Sequence, residues 1–114
     1  MGRPGWRFLR NAAAVAGLLA FACVAAAQDK TVVSLGTATP GGGFPVYGAA
    51  FSASVNEAEP SLLVEPRNTR GSAENIPLLE AGKLDIGLVQ GESAHEAFNG
   101  IGRAPSDLKI VAAM

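Results

Sequence analysis

Three short apolar runs, each emptying into a polar loop, constrain this chain more than any other feature. They are Thr31-Val32-Val33-Ser34-Leu35-Gly36, Leu62-Leu63-Val64-Glu65 and Leu84-Asp85-Ile86-Gly87-Leu88-Val89. Brief runs rich in β-branched residues and bounded by turn signals fit buried strands. Helical spacing fills the gaps between them. After the first run, Pro45 suits a first helical turn, and Val46, Ala49, Ala50 and Ala53 form one apolar stripe beside another of Tyr47, Phe51 and Val55. That helix is expected to be apolar over most of its girth, to lie against a sheet, and to stop at Asn56 to Pro60. The second run is closed by Pro66; Ser72 then reads as an N-cap, Ile76 and Leu79 share a face, and Gly82 ends the helix. Pro77 requires either a later start or a distorted first turn. A short helix through Ser93, Ala94, Ala97 and Phe98 follows the third run and ends at Asn99-Gly100, and Leu108 to Met114 reads as a fourth strand. This alternation predicts an α/β lobe with a parallel sheet and right-handed crossovers.

The N-terminus reads as an export signal. Arg3, Arg7 and Arg10 precede an uncharged apolar stretch from Ala12 to Ala26, shorter than a membrane span, and Ala25-Ala26-Ala27 offers a cleavage site. Residues 1–27 are expected to be removed, leaving 28–114 as the mature part. A lipoprotein signal using Cys23 is the competing reading, opposed by the bulky Phe21 where a small residue is expected; a retained anchor is the other. Cys23 is the only cysteine, so the mature part is held by packing alone, as suits a large periplasmic α/β protein. It carries six Lys/Arg against ten Asp/Glu, a net charge of −4, with no basic patch for nucleic acid. The apolar run at the other end closes without a cap, which suggests a fragment of a longer protein.

In an open parallel sheet ligands bind beyond the carboxyl ends of the strands, where loops feed helix N-termini with unpaired N–H groups and partial positive charge. Three such loops are expected: Thr37 to Phe44, Arg67 to Asn75 and Gln90 to Ser93. Gly41-Gly42-Gly43 in the first either contact a ligand or merely permit a tight turn. They make no dinucleotide fingerprint, because the third glycine would fall at Val46, and no Gly-Lys-Ser/Thr follows. In the second loop Arg67, Thr69, Arg70, Ser72 and Asn75 cluster at a helix start, where one guanidinium can grip a carboxylate with both arms; the alternative is a solvated loop with an ordinary cap.

Other chemistry finds little support. His95 is the sole histidine, and its pairing with Glu92 is too small a set for a metal, so a surface histidine is expected. Gly-x-Ser-x-Gly is absent, and His95 has no evident serine and acid partners. Tyr47, Phe51 and Phe98 are expected in the core.

Several segments together resemble the TAXI branch of the solute receptors of TRAP transporters. The likeness begins with Leu35-Gly36-Thr37, glycines 41 to 43, Phe44-Pro45-Val46, Gly48-Ala49 and Asn56. It is strongest at Thr69-Arg70-Gly71-Ser72-Ala73-Glu74-Asn75, and continues through Leu79 to Gln90, Ser93-Ala94 and Asn99-Gly100. The resemblance implies a periplasmic-binding-protein-like first lobe, incomplete at its fourth strand and lacking the second lobe. It further implies a periplasmic or otherwise secreted protein without catalysis or cofactor. Such a receptor binds a small organic anion, such as glutamate or a dicarboxylate, and delivers it to a TRAP membrane permease. It places Thr37, Gly42, Gly43, Ser72, Asn75 and Gln90 along the cleft, with N–H groups near Ser72 receiving an acidic group; Arg70 is a further candidate. Two positions depart from the family pattern: Ala38 stands where a glycine is usual, and Arg70 replaces a small residue, either strengthening carboxylate binding or blocking the loop. A small exported α/β enzyme, with Glu74, Asp85 and His95 as candidates, and a remnant without function are the other open readings.

Overall fold

The computed structural model describes residues 29–113, so the signal-peptide expectation lies outside the described residues. Within them the chain runs β1 (Thr31–Gly36), α1 (Gly43–Ala58), β2 (Leu62–Arg67), α2 (Ser72–Glu80), β3 (Ile86–Gly87) and α3 (Gly91–Asn99). All strand pairs are parallel, and β1 lies centrally in the order β2-β1-β3. β1 aligns with β2 over its full length, Thr31 opposite Leu62 through Gly36 opposite Arg67, but with β3 only at Leu35–Ile86 and Gly36–Gly87. Flanked on both sides only at its carboxyl end, β1 is buried there, with Leu35 wholly inaccessible, while Thr31 and Val32 are exposed.

Side-chain alternation along β1 assigns the two faces. A methyl group placed on Gly48 of α1 would meet Thr37 and Leu35, so these odd positions face α1. One placed on Gly36 would meet Asn75 of α2 and Leu84, so the even positions face α2. The helices therefore cover opposite faces, as crossovers of one hand require when β2 and β3 flank β1. The loops after β1 and β3 then diverge to opposite sides, the topological switch point where open α/β sheets take ligands.

Several boundaries differ from expectation for identifiable reasons. β3 is two residues long, not six, because Asp85 turns its carboxylate onto β1: Oδ2 accepts from the Ser34 N–H at 2.8 Å and its hydroxyl at 2.7 Å. The acid thus occupies the position where a longer β3 would present a backbone carbonyl. Pro66 does not close β2 but lies within it, tolerated because β2 is an edge strand. The outer edge of β2 is partly sealed by Asn56, whose amide accepts from Val64 N–H at 2.7 Å and donates to Val64 O at 3.1 Å, imitating a strand.

The stripe Val46, Ala49, Ala50 and Ala53 faces outward, with Val46 71% exposed, because only Gly48 and Ser52 allow the close approach of α1 to the sheet. Tyr47 is likewise outside the core, stacked on Phe51 with ring centroids 6.2 Å apart. The expected fourth strand does not form. Residues 104–113 pair with no strand, and Ile110 and Val111 are exposed, since the paired part of β3 is too short a template for a six-residue ladder.

Candidate functional site

All three loops at the carboxyl edge converge on one hollow of about 580 Å³ that is open on one side. Ala38, Gly42, Gly43 and Phe44 line it from the first loop, Arg70, Gly71, Ser72 and Ala73 from the second, and Gln90 and Ser93 from the third. Each loop takes its shape from local chemistry. Thr39-Pro40-Gly41-Gly42 form a turn closed by Gly42 N–H donating to Thr39 O, with Gly41 at φ +92°, a conformation glycine adopts without strain. Gly71, at φ +87°, is the N-cap residue of α2. Pro77 sits inside α2, which nevertheless starts at Ser72, with N–H groups of both Glu74 and Asn75 donating to Gly71 O.

Helices α1, α2 and α3 therefore all begin at this hollow, with Gly42, Gly71 and Gln90 as N-cap residues and no side-chain cap bond at any of them. Ser72 is not the expected cap. It is the first residue of α2, and its hydroxyl accepts from Gln90 N–H at 2.9 Å, joining the start of α2 to that of α3. The N–H groups ahead of the first intrahelical bond of each helix have no acceptor within it, so three partial positive charges of about half a unit each gather around one space. Arg70 adds a full charge at the rim, its side chain 85% exposed and its Nε 3.5 Å from Glu74 Oε2. Two acids stand near, Glu74 in the first turn of α2 and Glu92 in that of α3.

Of the residues singled out from sequence, Gly42, Gly43, Arg70, Ser72 and Gln90 line the hollow, whereas Thr37 and Asn75 lie buried and hold its walls together. Thr37 donates from N–H and hydroxyl to Arg67 O, and its own carbonyl accepts from Thr69 Oγ1 at 3.1 Å and Asn75 Nδ2 at 2.8 Å. The same Asn75 amide donates to Leu88 O at 2.8 Å, so one side chain ties the loops after β1 and β3. The other lining residues, Ala38, Phe44, Gly71, Ala73 and Ser93, are not among the ligand-binding residues expected from sequence, although all five fall within the three expected loops. Thr69 does not line the hollow but braces the first loop, its hydroxyl accepting from Gly71 N–H and donating to Thr37 O.

His95 is exposed on α3, where Asn99 Nδ2 donates to its backbone carbonyl. Asp85 lies on the β3 entry away from the hollow; the Ser34 N–H and then the Ser34 hydroxyl hold its carboxyl below the ordinary carboxylate range. Among the described residues no three of His, Cys, Asp or Glu converge as a metal site. What the arrangement offers is recognition of negative charge by backbone amides, assisted by one guanidinium.

A family model described as the NMT1-like family matches residues 35–114, which takes in the carboxyl end of β1, β2, β3, all three helices and every residue that lines the hollow. No solved structure matches the chain.

Proposed function

The chain belongs to the NMT1-like family, which is related to periplasmic solute-binding proteins, and on that premise we propose that it is the anion-binding lobe of an extracytoplasmic solute receptor of the TAXI type. Its ligand is a small organic anion, glutamate or a dicarboxylate, and it serves a TRAP permease without catalysing a reaction. One observation carries this reading: three helix N-termini without side-chain caps face a single hollow, with Arg70 at its rim. A carboxylate seated there exchanges water for amide N–H groups already held in place by Thr37, Asn75 and Ser72, so little ordering remains to oppose binding. Gly42, Gly43, Ser72 and Gln90 supply the walls. The open side is where a second lobe closes by a hinge motion in this reading.

Calorimetric titration with glutamate, glutarate and the uncharged diamide glutaramide tests it. Both acids are expected to bind and the diamide is not, and Ala73→Trp, which fills the hollow from an exposed position, abolishes acid binding. Equal binding of all three compounds, binding of none, or full acid binding by the tryptophan variant would overturn the reading.

A further inference from the structure

Arg70 and Glu74 form the only ion pair among the described residues that touches the rim of the hollow. Glu74 Oε2 accepts from the Arg70 N–H at 2.7 Å and faces the Arg70 Nε at 3.5 Å, so one carboxylate engages both ends of the residue. It also stands in the first turn of α2, where it offsets part of the positive end of that helix. We propose that Glu74 sets the charge class of the ligand, admitting anions of one net charge and penalising dianions; this rests on the receptor reading above.

A carboxylate on the amides of α2 and α3 need not reach Arg70. A second carboxylate drawn to Arg70 must compete with Glu74 for the guanidinium and lie close to the Glu74 charge. An ammonium on the ligand removes that penalty, because its net charge falls to one and it is attracted by the same acid. Glutamate fits this description, and glutarate, identical but for the ammonium, does not. Glu74 is thereby a specificity residue, and Arg70 a cation whose strength it limits.

Glu74→Gln tests this with little structural disturbance, since the amide oxygen can still accept from the Arg70 N–H. Wild type is expected to bind glutamate more tightly than glutarate. In the variant the ratio shifts toward glutarate by about three- to fivefold, the upper range for an exposed charge pair. Arg70→Ala, at an exposed position, supplies an independent check: it weakens glutarate binding little in wild type but about three- to fivefold in the Glu74→Gln background, because the guanidinium is then unopposed. A variant that only loosened the loop would weaken both acids alike and leave the ratio unmoved. If both acids bind but the ratio is the same in wild type and Glu74→Gln, or Arg70→Ala has equal effects in both backgrounds, the specificity proposal is overturned and the receptor reading stands. If neither acid binds any of these proteins, both fall.

Discussion

Replacing Asn75 by alanine tests whether the walls of the hollow are held by a single side chain. Asn75 is fully buried, and its Nδ2 donates to the carbonyls of Thr37 and Leu88, each at 2.8 Å. The two losses are unequal. Thr37 O keeps the Thr69 hydroxyl as a donor, so its share is an ordinary net hydrogen bond of about 1 kcal/mol. Leu88 O loses the Asn75 donor outright, at a cost of about 1–3 kcal/mol. Against these stands the Asn75 Oδ1, which is buried without a partner, so its removal returns about 1 kcal/mol. The balance is a destabilisation of about 2 kcal/mol, a large share of the roughly 5–15 kcal/mol that holds a domain folded. Asn75→Asp is expected to cost more, since it sets a carboxylate against two carbonyl oxygens without a donor to offer. Urea unfolding followed by circular dichroism reads both as lower midpoints at unchanged slope. An alanine variant within about 0.5 kcal/mol of wild type, the size of an ordinary surface change, or an aspartate variant as stable as wild type, would refute the reasoning.

Two further outcomes follow from packing and protonation. Gly48→Ala sets helix propensity against space: alanine gains about 1 kcal/mol in a helix interior, but its methyl would lie 2.5 Å from Thr37 Cγ2, and overpacking costs about 1–3 kcal/mol. Net destabilisation in a thermal melt is expected, and a raised melting temperature would show that α1 is not pressed on the sheet as described. Ser34→Ala removes one of the two bonds that lower the Asp85 pKa. The stabilisation from a depressed carboxyl is complete above its unfolded value of about 3.9 and is lost as pH falls through the folded value. The stability difference between wild type and variant should therefore contain a part that is present at pH 6 and closes as pH falls below about 4. A difference independent of pH from 6 to 2 would count against it.

The order of elements was legible because strand and helix periodicities differ and each β-branched run is followed by a glycine or hydroxyl cluster. The three loops could be named for the same reason, and Gly42, Gly43, Arg70, Ser72 and Gln90 were reachable from them. What sequence concealed were contacts between residues far apart in the chain. The Asp85 carboxylate shortens β3 only because Ser34 lies opposite it, 51 positions earlier. Ser72 has the composition of a cap, yet its hydroxyl is taken by Gln90 across the hollow. The small residues at Gly48 and Ser52 decided which side of α1 meets the sheet, against a more apolar stripe that stays outside. Likewise Leu108 to Ala113 has the propensity of a strand but no ladder to join.

Amide chemical shifts followed during a glutamate titration of isotopically labelled protein probe the gathering of the three helix starts most directly. Phe44, Ala73 and Ser93, one from each helix, are expected to shift together along a single saturation curve, with binding that weakens as salt is added. Shifts confined to one of these helices, or saturating at separate concentrations, would contradict a shared anion site.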